Sequence, residues 1–100
     1  MQREELVCVA HNAAQLGAPP HEIVAEVLSS AEPKWEGHIP LLDIEWCLVQ
    51  AFDMPLRDAR DIERWSRFSE RGNWTDADVD AYLAPWITRY LARVGDEQQQ

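Results

Sequence analysis

The segment Leu41–Phe68, LLDIEWCLVQAFDMPLRDARDIERWSRF, restricts what this chain can fold into more than any other. Apolar residues recur through it at helical spacing, and Asp53-Met54-Pro55 interrupts them near the middle. Pro40 is suited to start a helix, and Leu41, Ile44, Leu48 and Phe52 follow its inner face. Leu42, Trp46 and Val49 widen that face, so this helix is expected at the centre of the molecule, with Asp43 and Glu45 marking where solvent reaches it. Asp53 is predicted as the N-cap of a second helix, with Pro55 in its first turn. Leu56, Ala59, Ile62, Trp65 and Phe68 then recur at every third residue, which drifts around a 3.6-residue helix. Either the apolar surface wraps around that helix, or its last turn frays or tightens into 3₁₀ geometry.

The flanking segments carry the same period. Leu6, Val9, Ala10, Ala13 and Leu16 form one stripe of a helix predicted over 3–16, with Gly17 placed as its C′ residue and Pro19-Pro20 barring continuation. Pro20 can open the next helix, in which Ile23, Val24, Val27, Leu28 and Ala31 share a face. Pro33 and Gly37 break the connector EPKWEGH. After Arg71-Gly72-Asn73, Thr75 is predicted as an N-cap with Asp76 and Asp78 in the first turn, a weak variant of the capping box. Val79, Tyr82, Leu83, Trp86, Ile87, Tyr90, Leu91 and Val94 supply the buried side of the helix that follows. Pro85 either kinks that helix or starts a new one, and Gly95 is expected to end it. No stretch alternates with period two for long enough to make a strand. The expected fold is all-α: a compact single-domain bundle of five or six short helices over 1–95, a central hairpin at about 40–70, and a disordered tail at 96–100.

A chain of 100 residues can bury one core, and five tryptophans give it large apolar units to bury. Trp46, Trp65 and Trp86 fall on helical core stripes. Trp35 and Trp74 lie in connectors, where an aromatic either anchors an interface or covers an open end of the core. Cys8 and Cys47 make no disulfide framework, the N-terminal residues lack a signal-type apolar run, and no segment is apolar enough to cross a bilayer. A cytoplasmic protein is the expectation.

Charge narrows the function. The formal charge is −9, yet Arg57, Arg60, Arg64, Arg67 and Arg71 recur at helical spacing. With Asp58, Asp61, Glu63 and Glu70 among them, residues 57–71 carry a net of +1, which leaves −10 elsewhere. Arg57, Arg60, Arg64 and Arg67 are a candidate grip for an anion or a nucleic-acid backbone. Their three- and four-residue offsets from Asp61 and Glu63 equally describe a solvated face laced with local ion pairs. The acidic remainder runs through Glu22, Glu26, Glu32 and Glu36, then Asp43, Glu45 and Asp53, then Asp76, Asp78 and Asp80. If these converge they make an anionic surface matched to a basic protein; otherwise they serve solubility.

Motifs for chemistry are weak. Asp76, Asp78 and Asp80 have the spacing of the first three ligands of a calcium loop, but Ala81 stands where glycine is required and Ile87 where a glutamate is required. Cys8 and His11 have metal-ligand spacing without a second close pair, so Cys8 reads as a small buried residue and His11 as a boundary residue. No cofactor, metal or catalytic residue is expected, and enzymatic function is the less favoured class.

These observations point to a small acidic interaction protein, in concrete form an immunity- or antitoxin-type inhibitor that neutralises a basic toxin such as a nuclease. Glu32, Trp35, Glu36, Asp43, Asp53 and Trp74 are the candidate partner-binding residues. The alternatives are a regulatory protein that contacts anions or nucleic acid through the arginine stripe, and an accessory subunit of a larger enzyme. Monomer and homodimer both stay open.

Overall fold

A computed structural model describes residues 3–31, 41–68 and 71–98. Five α-helices follow one another: α1 (Arg3–Gln15), α2 (Pro20–Ala31), α3 (Leu41–Phe52), α4 (Leu56–Ala59) and α5 (Asp76–Gln98). A 3₁₀ helix over Arg60–Arg64 continues directly from α4. The described residues contain no strand, only an isolated parallel bridge between Trp65 and Trp74.

The α1–α2 corner forms as its local chemistry dictates. Gly17 takes a φ of 84°, which a side chain would resist. The Ala18 N–H then donates to Ala13 O at 3.1 Å and the Gly17 N–H to Ala14 O at 3.0 Å, the paired bonds of a Schellman stop. Pro20 opens α2, whose Ile23, Val24, Val27, Leu28 and Ala31 are all buried. Helix α3 packs against every other helix, so it is the central element.

The α3–α4 turn differs from expectation. Asp53 does not cap α4: it takes a φ of 58° and closes α3 in the left-handed region, which aspartate tolerates better than most residues. Pro55 occupies the N-cap position, and its carbonyl accepts from the Asp58 and Ala59 N–H groups at 3.0 Å each. The second half of the hairpin then tightens into the 3₁₀ helix, which turns once every three residues and so carries Ala59, Ile62 and Trp65 inward together.

Beyond the 3₁₀ helix the chain doubles back. The Trp74 N–H donates to Arg64 O at 2.9 Å and the Ser66 N–H to Trp74 O at 3.0 Å. Thr75 caps α5: its Oγ1 accepts from the Asp78 N–H at 3.2 Å, and the Asp78 carboxylate accepts from the Thr75 N–H at 2.9 Å. Helix α5 runs unbroken through Pro85 and past Gly95 to Gln98, so the expected stop at Gly95 does not occur. Nothing lies within 4 Å of where a Cβ on Gly95 would sit, and glycine alone costs a helix too little to end it.

Burial corrects several expectations. Trp65 is fully buried, while Trp46 is only half-buried and Trp86 is half-buried against the core. In α1 the buried residues are Leu6, Ala10 and Ala14, and Leu16 is 87% exposed. Cys8 is exposed and Cys47 is buried, the reverse of the expectation for Cys8. Asp43 and Glu45 do not mark a solvent face: both are buried, Glu45 at 1% exposure. Pro33, Gly37 and Pro40 lie outside the described residues.

Candidate functional site

A concavity of about 500 Å³ lies between α1 and α2. Val9, Ala13, Leu16, Ala18 and Ala25 form its apolar lining, with Asn12, Glu22, Glu26 and Ser30 as the polar part. The Schellman stop leaves Leu16 just past the last residue of α1, largely exposed. Because α2 turns Ile23, Val24, Val27 and Leu28 into the core, Glu22 and Glu26 fall one turn apart on its exposed flank.

A second group of acids gathers where α2 and α5 begin. Asp80 Oδ1 accepts from both the backbone N–H and Nδ1 of His21, each at 2.8 Å. It thereby satisfies a first-turn donor of α2, where a carboxylate is favoured. His21 Nε2 lies 3.9 Å from Asp76 Oδ2, and Asp76 Oδ1 accepts from the Trp65 indole N–H at 2.9 Å. The first turns of α2 and α5 are pinned together by these contacts. Of the acids named in the sequence, Asp76 and Asp80 are thus brought together around His21.

The predicted partner-binding residues are otherwise dispersed. Glu32, Trp35 and Glu36 lie outside the described residues. Asp43 is buried, which leaves it little surface to offer a partner. Asp53 is exposed, 3.8 Å from Arg93 Nη1. Trp74 is half-buried against the core, its ring 4.8 Å from that of Tyr82 and beneath the Arg64 guanidinium, so it serves chiefly as a cover for the core.

The arginine stripe is not continuous. Regular helix ends at Arg64, so Arg67 and Arg71 leave the row. Arg60 lies 4.0 Å from Glu63 and Arg64 lies 3.8 Å from Asp61, the local pairs that the spacing suggests. Arg67 rests over the Trp65 ring, and Arg57 is exposed. Tyr82 donates to Asp58 O at 2.9 Å and reaches Asp61 Oδ2 at 3.1 Å; burial, with help from Asp61, pushes its phenol up to about 12.

A smaller groove of about 320 Å³ lies on α3, lined by Leu42, Glu45, Trp46, Val49 and Leu56. Leu42 is 76% exposed and Leu56 58%, while Glu45 is buried and its Oε1 has no hydrogen-bond partner. Burial raises the Glu45 carboxyl to about 7, reinforced by a hydrogen bond to and the charge of Glu63 and opposed by Arg60. The sequence places Glu45 at the solvent boundary of α3, yet it stands three residues before Leu48 and seven before Phe52, a spacing that puts it on the buried side.

Elsewhere, His11 stacks on Tyr90 at 4.3 Å, and its Nε2 donates to Ala51 O at 2.8 Å. That pairing occupies it as a packing residue, and burial pushes the Cys47 thiol up to about 12, far from a reactive thiolate. Among the described residues no group of three or more His, Cys, Asp or Glu side chains is arranged to hold a metal ion. No helix among them is long and apolar enough to cross a membrane. No protein-family model, curated sequence or solved structure matches this chain.

Proposed function

We propose that this chain is a binding module for a basic protein, engaged through the α1–α2 groove, and in concrete form an immunity- or antitoxin-type inhibitor of a basic toxin such as a nuclease. The observation that carries the reading is the composition of that groove: apolar walls with an exposed Leu16, bordered by Glu22 and Glu26. Apolar surface left open in this way supplies binding energy only when a partner covers it. Carboxylates at its border select a cationic partner and speed the encounter, which the chain's net charge of −9 reinforces at longer range. A basic cleft that normally grips phosphates offers the matching potential.

The test is capture from host lysate by wild-type bait and by two variants, Leu16→Asp and the double charge reversal Glu22→Lys/Glu26→Lys. Wild type is expected to retain one basic protein at a stoichiometric level. Each variant should lose roughly tenfold or more in affinity, the scale set by interface anchors and close charge pairs. Equal capture by all three baits, or nucleic acid in place of protein, overturns the reading. Unchanged activity of the captured protein when saturated with this chain removes the inhibitor part of it.

A further inference from the structure

We propose that the groove between α1 and α2 receives an amphipathic α-helix of the basic partner, with lysines or arginines one turn apart along a single flank of its apolar face. That the occupant belongs to a basic protein rests on the reading above; its helical form follows from the geometry of the groove.

The groove runs along two helices that pack directly on each other. Val9, Asn12, Ala13 and Leu16 line it from the α1 side at offsets of three, four and seven, the spacing of one helical stripe. Glu22, Ala25, Glu26 and Ser30 line it from α2 at offsets of three, four and eight. At 1.5 Å per residue these walls are about 10 and about 12 Å long. Two neighbouring stripes of that length form a trough that the side-chain ridge of a third helix can enter. Three of the apolar lining residues are alanines, so large partner side chains find room in the concavity of about 500 Å³.

The chemistry of the walls excludes an extended occupant. Val9, Ala13, Leu16, Ala18 and Ala25 have no side-chain donor or acceptor to offer a peptide backbone. The main chain behind them is engaged in helical hydrogen bonds, and the described residues contain no strand whose edge could pair with a guest. An extended segment would therefore bury unpaired N–H and C=O groups. A helix closes those groups on itself and presents side chains alone.

Charge sets how the helix is turned about its axis. Both carboxylates in the lining stand on α2, whereas the α1 side offers the uncharged Asn12. Glu22 and Glu26 are exposed and four residues apart, so cations at the same spacing on the partner meet both at once. Leu16, at the open corner, is free to insert between the apolar side chains of the guest.

The experiment is an NMR titration of the isotope-labelled full chain with two synthetic peptides of identical leucine, alanine, lysine and glutamine content. Each is about 14 residues long, enough to cover both walls with a turn to spare at each end. One places its leucines at helical spacing with two lysines four residues apart on one flank; the other alternates the same residues with period two. Equal charge makes the general attraction to an acidic protein the same for both. The helical pattern is expected to bind roughly tenfold tighter, with shifts centred on Val9, Ala13, Leu16 and Ala25. Ala25→Trp, which fills the trough without changing charge, should weaken it about tenfold. Leu16→Asp should weaken it too, although a merely electrostatic complex would tighten with the added carboxylate; at 87% exposure this change leaves the core untouched. Equal affinity for the two peptides, an affinity that neither variant lowers, or shifts confined to other surfaces overturns the proposal. A basic protein captured from lysate and lost from the Leu16→Asp and Glu22→Lys/Glu26→Lys baits would still stand after such a result. Equal capture by all baits with the helical preference retained removes the reading above and leaves the groove as a helix site.

Discussion

Glu45 shows how far one residue can be carried from its ordinary chemistry by what covers it. Its carboxyl rises from the ordinary 4.5 to about 7 because the charged form loses water and faces Glu63. A carboxyl raised by folding holds its proton in the folded state after the unfolded chain has lost it. Stability from this group is therefore complete below about pH 4.5, declines as pH rises to about 7, and stays low above that. The displacement corresponds to roughly 3 kcal/mol. Glu45→Gln is neutral at every pH and nearly the same shape. Its urea unfolding free energy should match wild type near pH 4 and exceed it by up to about 3 kcal/mol at pH 8. Parallel curves for the two proteins across that range would show that the carboxyl is not raised.

At the scale of elements, the connection from the 3₁₀ helix to α5 is where backbone geometry is least forgiving. Gly72 approaches the preceding chain so closely that a Cβ there would sit 2.7 Å from Trp65 O and 2.8 Å from Arg64 O. Those are main-chain atoms, and Arg64 O is already committed to the Trp74 N–H. Gly72→Ala must push apart the bridge that seats Trp65 and Trp74, at an expected cost of about 2–3 kcal/mol. Gly95 is the contrast: it is helical, with open space where a Cβ would stand. Gly95→Ala should stabilise by about 0.5–1 kcal/mol through helix propensity alone. Thermal melts of the two variants test both expectations, and a neutral Gly72→Ala would mean that the bridge contributes little.

For the molecule as a whole, the net charge of −9 sets the sign of its response to salt. Like charges on a compact body repel, and the pairs that oppose them, Arg60–Glu63 and Arg64–Asp61, are exposed and so contribute little. Added salt should relieve more repulsion than attraction. The melting temperature is expected to rise by a few degrees between about 0.05 and 0.5 M sodium chloride, as the screening length shrinks. A fall over that range would show that local ion pairs outweigh the net field. Binding of a basic partner should respond in the opposite sense, since the same screening weakens attraction.

The sequence by itself determined what depends on neighbours a few residues away. The Schellman stop at Gly17, the start of α2 at Pro20, the Thr75–Asp78 cap and the buried stripe of α2 all rest on contacts within one or two turns, and each forms as the residues dictate. The apolar spacing of three after Leu56 left a wrapped surface, a frayed turn and a 3₁₀ turn all open, and the structure takes the last. Of the candidate site, the acidity of Glu22 and Glu26 was legible, but not the groove beside them. Tertiary structure alone decided that Leu16 stays open, that Trp74 covers the core, that Asp53 ends α3 instead of beginning α4, and that Glu45 is shut away with an unpaired oxygen. Periodicity says which residues share a face, but not which helix comes to cover it or how completely. That choice is made by elements far apart in the chain competing for the same apolar surface.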